Sequence, residues 1–113
     1  MPCILVSTNQ SLSVEKQEVL KARFGKAIEL IPGKTQRWLM CVFYPVCNMY
    51  FQGEKKDLAF IEVGIYGQPQ KDDLDRLTEE LMQIVGSELN IVQKDIYIKY
   101  STTPYWGWNG KNF

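Results

Sequence analysis

Three observations predict an α/β (α+β) fold built on a pseudo-symmetric four-stranded sheet. First, strand-like and helix-period segments alternate as strand–helix–strand, then as strand–helix–strand again. Second, the starts of matching segments recur at an offset of roughly 55–60 residues, without residue identity, as in an internal duplication. Third, the runs WLMCVFY and LAFIEVGIY carry apolar residues at odd and even positions alike, which is how strands buried on both sides read. Two right-handed crossover units give a four-stranded sheet with both helices on one face. Two helices cover only that face. The other needs cover as well, and the simplest source is another copy of the chain, so the sequence reads as an obligate oligomer.

The elements follow in order. Residues 2–7 (PCILVS) form a short apolar strand. Residues 14–31 form a helix, with Leu20, Phe24, Ala27, Ile28 and Ile31 at helical spacing. Ser11 or Ser13 caps its start, Glu15 and Glu18 suit the positive end of its dipole, and Pro32-Gly33 ends it. Residues 38–44 are the second strand. A turn at 45–48 leads to a short extension at 49–51, and residues 52–57 make a polar loop. The third strand is 58–66. The second helix runs over 71–89, with Leu74, Leu77, Leu81, Ile84, Val85 and Leu89 on one face and Asp72 and Asp73 in its first turn. Residues 96–100 are a further strand. In the aromatic tail, Asn109-Gly110 is a tight-turn signal that makes short edge strands.

Composition narrows the chemistry. The 113 residues fit a single domain spanning 1–113. Lys plus Arg and Asp plus Glu are both 13, so the net charge is zero and a nucleic-acid partner is not expected. No run of about 18 apolar residues suggests a membrane span. The first residues lack the charged and apolar segments of a secretion signal, so the expected address is the cytoplasm. Histidine is absent. That removes Ser-His-Asp and Cys-His nucleophiles, a His base and every His-containing zinc site. Three cysteines, Cys3, Cys41 and Cys47, cannot close a zinc site, so no metal or other cofactor is expected. Cys41 reads as a core residue and Cys47 as a turn residue.

Among chemically capable residues, Pro2 comes first. Removal of Met1 would expose its secondary amine. Burial and nearby cations pull an amine's pKa towards neutrality, where it serves as a base. The alternative is that proline has no role there. Gly33-Lys34-Thr35 imitates the end of a phosphate-binding loop, but the glycine needed five residues earlier is Ile28, inside a helix. Lys34 is instead either a fixed cation in a helix-to-strand turn or an ordinary solvated lysine. Tyr97, Lys99, Tyr105, Trp106, Trp108 and Phe113 crowd the last fifth of the chain. They can be packing, a base-stacking surface, or the wall of a small pocket with Lys99 as anion anchor. On a strand, Tyr97 and Lys99 share a face.

Taken in order, these marks resemble the macrophage migration inhibitory factor (MIF) family of the tautomerase superfamily. They are Met1-Pro2 before an apolar strand with Ser7-Thr8-Asn9; Gly33-Lys34, then Trp38-Leu39-Met40; Met49 and Phe51 near a glycine turn; Gly67 after the third strand; Asp95-Ile96-Tyr97-Ile98; and Trp106-Gly107-Trp108-Asn109-Gly110 with Phe113. The resemblance spans essentially the whole chain. It implies a homotrimer with helices outside and active sites between subunits. It further implies keto-enol tautomerase activity, an intramolecular isomerisation, on phenylpyruvate-like 2-keto acids and dopachrome-like compounds. Pro2 would be the catalytic base and Lys34 the substrate-binding lysine. Trp38, Tyr66, Trp106 and Phe113 would line the pocket, Tyr97 would enter from the neighbouring subunit, and Lys99, where the cytokine has asparagine, would join Lys34 in holding the carboxylate or polarising the carbonyl. Tyr66 and Trp106 stand where smaller residues are usual, and Thr35 where proline is. The alternative implied is a cytokine-like interaction protein with a vestigial or altered pocket, a cell-surface receptor as partner and release without a signal peptide.

Overall fold

The computed structural model describes all 113 residues, Met1–Phe113. Strands β1 (Pro2–Thr8), β2 (Met40–Tyr44), β3 (Ala59–Tyr66) and β4 (Ile96–Thr103) form one sheet in the order β2-β1-β3-β4. The β1–β2 and β3–β4 pairs are parallel, and β1–β3 is antiparallel. Each parallel pair is joined through a helix, α1 (Val14–Ala27) or α2 (Lys71–Leu89). Parallel neighbours require such a crossover, so the duplicated pattern of the sequence is the duplicated architecture of the sheet. A two-stranded ribbon, β5 (Gly107–Trp108) and β6 (Lys111–Asn112), ends the chain.

One face of the sheet is the core. Ile4 and Val6 of β1, Ile61, Val63 and Ile65 of β3 and Ile96 of β4 are buried there. Leu20, Phe24 and Ala27 of α1 and Leu77, Leu81, Ile84, Val85 and Leu89 of α2 pack onto them. Thr8 is fully buried too, and its hydroxyl donates to the Leu58 carbonyl at 2.8 Å, which satisfies the polar atom. Cys41 packs against this core from β2, as expected of it. Glu88 of α2 ties the helices together, accepting from Lys16 at 3.0 Å and from Arg23 at 2.8 Å.

Helix ends follow local chemistry. The Ser13 hydroxyl accepts from the Lys16 N–H at 3.0 Å, a side-chain N-cap. The expected 14–31 helix tightens after Ala27 into a 3₁₀ turn, Ile28–Leu30, which still buries Ile28. The end of α2 is Asn90 in the left-handed conformation (φ 55°), which asparagine tolerates better than most residues.

Three boundaries differ from the sequence reading. Trp38 lies in a 3₁₀ turn, Gln36–Trp38, and the strand begins only at Met40. The Gln36 side chain packs over Gly25, where an added Cβ would come within 2.6 Å of it, and this seating pulls the turn onto α1. The 49–51 extension is not a strand: Phe51 and Glu54 exchange two backbone hydrogen bonds of 3.0 Å across a tight turn. The last main strand runs on to Thr103 rather than stopping at 100.

The second face of the sheet has little cover within the chain. Met40 and Tyr44 of β2 and Tyr97 of β4 are 65, 50 and 60% exposed on it. Leu5 and Val42 lie between them at paired positions. Helices on one side and an open apolar surface on the other are what the alternation of the strands requires.

The turn after β2 holds a strained residue. Val46 adopts φ 57° although its side chain is branched at Cβ. Two backbone bonds of 2.9 Å fix it there, Val46 N–H to the Gln10 carbonyl and Cys47 N–H to the Thr8 carbonyl. Val46 is 68% exposed, so its side chain contributes little burial in return. Val46→Gly should therefore raise stability by about 0.5–1 kcal/mol in urea denaturation, and a loss of stability would show that the valine side chain is needed.

Candidate active site

The site gathers where β1 starts and β3 ends. Pro2 opens β1 opposite Ile65, a position at which its missing N–H costs the ladder nothing. The Met1 carbonyl accepts from the Tyr66 N–H at 3.1 Å, which pins the amino terminus to the last residue of β3. Gly33, at φ 82°, makes the reverse turn after the first helix, and Lys34 leaves it towards the same corner. The Lys34 ammonium donates to the Tyr66 carbonyl at 2.8 Å and lies 5.8 Å from the Tyr66 ring centre.

This setting makes the terminal amine a weaker base than usual. Burial lowers the pKa of the Met1 amino group from 8.0 to about 6, and the adjacent Lys34 charge adds to the effect. The amine is then neutral over most of the range above pH 6. A cleft of about 390 Å³ opens on the far side of Lys34 and Tyr66, lined also by Ile31, Pro69 and Asp73; neither Met1 nor Pro2 lines it. Asp73 is held by Arg76, so its charge is already paired and the cleft keeps a cationic character.

The tail supplies the wall. Asn109 (φ 54°) and Gly110 (φ 80°) make the tight turn between β5 and β6, and the Phe113 N–H donates to the Trp106 carbonyl at 2.9 Å. The Trp106 ring lies over Gly64, 3.9 Å from where a Cβ would stand, an ordinary contact distance. Four rings run in a row: Tyr66 to Phe113 at 6.0 Å, Phe113 to Trp108 at 6.5 Å and Trp108 to Trp38 edge-on at 5.0 Å.

Six of the eight expected site residues thus meet in one chain: Pro2, Lys34, Trp38, Tyr66, Trp106 and Phe113. Tyr97 and Lys99 do not join them. Tyr97 pairs with Phe60, five residues along β3 from the partner of Pro2, which is roughly 17 Å at ordinary strand rise. It packs edge-on against Phe51 at 4.9 Å, over a small apolar cavity of about 190 Å³ with Met49 and Leu58. Lys99 lies 3.5 Å from Glu62, its direct neighbour across the β3–β4 pair, so within the chain its charge is partly answered. Trp108, which the sequence reading counted in the aromatic cluster but not among the site residues, links Trp38 to Phe113.

No family model matches the chain, and no curated protein matches it by sequence. Solved structures do. The chain is similar to Leishmania major MIF2, with 27% identity and a TM-score of 0.94, over 100% of this chain and 97% of that one. A MIF homologue from Prochlorococcus marinus matches at 24% identity and a TM-score of 0.89, over 98% of each chain. An R7 fused 4-OT wild-type asymmetric trimer matches at 19% identity and 0.83, over 96% of this chain and 94% of that one. The structural neighbours are therefore MIF proteins, MIF-like proteins and 4-OT of the tautomerase superfamily, as the sequence marks implied, and the chain has their fold.

The amine and Lys34 can be tested directly. In the chain bearing Met1, the rate of N-terminal acylation should rise with pH around a midpoint near 6. Lys34→Met should move that midpoint upward, because it removes a like charge. An unmoved midpoint would show that burial alone sets it.

Proposed function

We propose that the protein is a keto-enol tautomerase whose general base is the amine of Pro2, exposed when Met1 is removed. The observation that carries this reading is the place of the amino terminus: β1 starts beside the end of β3 and Lys34, where burial and the Lys34 charge lower the pKa of the Met1 amine to about 6. Pro2 is buried where Met1 is only partly so, and its nitrogen would sit one residue deeper in the same corner. MIF and 4-OT neighbours support a tautomerase or MIF-like role in general.

The substrate class proposed is a phenylpyruvate-like 2-keto acid, with dopachrome-like compounds as a further class. Lys34 holds the carboxylate or polarises the carbonyl oxygen, where negative charge grows as the enolate forms. The neutral Pro2 amine takes the proton from the carbon next to the ketone. The resulting ammonium returns a proton at the other end of the enolate, on oxygen or on carbon according to direction. No atom beyond the shuttled proton is exchanged. Trp38, Tyr66, Trp106 and Phe113 exclude water around it.

The same reading makes the working form a homotrimer. The open face of the sheet is the surface to be covered, and Tyr97 and Lys99 are the residues to be delivered to a neighbour's Pro2. The oligomeric neighbours support a trimer in general. No helix is long and apolar enough to cross a membrane. A second reading, a MIF-like interaction protein that meets a receptor, is favoured by one observation: the bulk of Tyr66 and of Trp106, the latter over Gly64, narrows the pocket.

Ketonisation of enol phenylpyruvate, followed by absorbance, separates the two once mass spectrometry has shown Met1 to be absent. Pro2→Ala should lower kcat/KM by about 100-fold or more while leaving assembly intact. The wild-type activity should fall as the pH drops through the pKa of the Pro2 amine, because the protonated amine cannot accept a proton. A correctly processed protein with no turnover would favour the interaction reading.

A further inference from the structure

The aromatic row carries a cation at each end. Lys34 lies 5.8 Å from the ring centre of Tyr66, the first ring. The Arg37 guanidinium lies 5.2 Å from the ring centre of Trp38, the last. Between them stand Phe113 and Trp108, in ring-to-ring steps of 5.0–6.5 Å. A single keto acid of phenylpyruvate size uses only the Lys34 end.

Neither cation has a carboxylate partner in the chain: none of the ion pairs includes Lys34 or Arg37. Lys34 is bound by one backbone carbonyl. Arg37 makes no side-chain hydrogen bond, although most of the chain's other basic groups near acids are paired. Stacking on an indole orients the guanidinium plane and leaves its fork of N–H donors free, and that fork fits a carboxylate by two parallel bonds. The Arg37 side chain is exposed, and its backbone is placed by its neighbours. It belongs to the 3₁₀ turn whose Gln36 is seated over Gly25 and whose Trp38 is packed edge-on against Trp108.

We propose that Arg37 is a specificity residue for a second anionic group, so that the preferred substrate is an aromatic 2-keto acid with a further carboxylate at the end of the molecule remote from the ketone. This rests on the tautomerase reading for turnover and on the row alone for binding. The keto acid end is held at Lys34 beside the amine, the aromatic body lies along the rings, and the distal carboxylate meets Arg37.

The test compares the enol of phenylpyruvate, which has one carboxylate, with the enol of 4-carboxyphenylpyruvate, which has two. Wild-type protein should prefer the dianion by about ten-fold in kcat/KM, expressed mainly in KM. Arg37→Gln should abolish that preference, and Arg37→Lys should restore part of it, because it keeps the charge but loses the fork. A wild-type ratio near one, or a ratio that Arg37→Gln leaves unchanged, would overturn the proposal. Binding is read separately by quenching of tryptophan fluorescence with the keto forms of both probes. Tighter binding of the dianion that disappears in Arg37→Gln, in a protein that turns over neither enol, would uphold the proposal and sink the tautomerase reading. Turnover of both enols with no dianion preference would do the reverse.

Discussion

The peptide group of Tyr66 holds the site together. Its C=O binds the Lys34 ammonium, and its N–H binds the Met1 carbonyl for as long as Met1 is present. An amino terminus usually frays and a lysine usually ranges through many rotamers. Here each is tied to the end of a central strand whose own position is fixed by pairing on both sides. The rigidity of the sheet is thereby passed to two groups that would otherwise be among the most mobile in the chain. Their closeness is also what sets the electrostatics. A buried amine near a fixed positive charge is held in its neutral form, and a lysine turned from bulk water towards a carbonyl has its charge directed at the cleft.

The sheet explains why the site is divided. Alternating residues of β1 and β3 go to the core under the helices, and the others go to the open side. Tyr66 and Gly64 fall on the open side at one end of β3, Phe60 at the other, and β4 carries Tyr97 and Lys99 alongside. A single subunit therefore presents two separate aromatic groups on one surface, with apolar residues of β1 and β2 between them. On the proposed reading, another subunit brings the groups together, not a rearrangement of the first.

Much of this was legible in the sequence. Period-two and period-3.6 patterns located four strands and two helices, because burial on one face imposes those periods whatever the partner. Ser13, Asn109 and Gly110 announced a helix start and a turn, because their chemistry is local. What was missed depended on contacts far along the chain. Trp38 continues an apolar run and so reads as strand, yet the seating of Gln36 over Gly25 takes it into a helical turn. Tyr66 was legible by resemblance as a position whose backbone meets substrate, but its carbonyl's bond to Lys34 was not, since every residue has a C=O. Glu62 opposite Lys99 is a matter of strand register, which neither segment shows alone. Trp108 and Arg37 become parts of the wall only when the tail folds back over the turn that follows Lys34.

That backbone role has a consequence for how such a protein can change. The bond to Lys34 is made by a backbone carbonyl, which every amino acid has, whereas the ring of Tyr66 faces the wall. Substitution at this position alters the shape offered to a ligand without removing the hydrogen bond that places Lys34. On the tautomerase reading, the anchoring of that cation and the choice of molecule are carried by different atoms of the same residue. A lineage can then explore new ligands at position 66 while the placing of its cation is inherited intact.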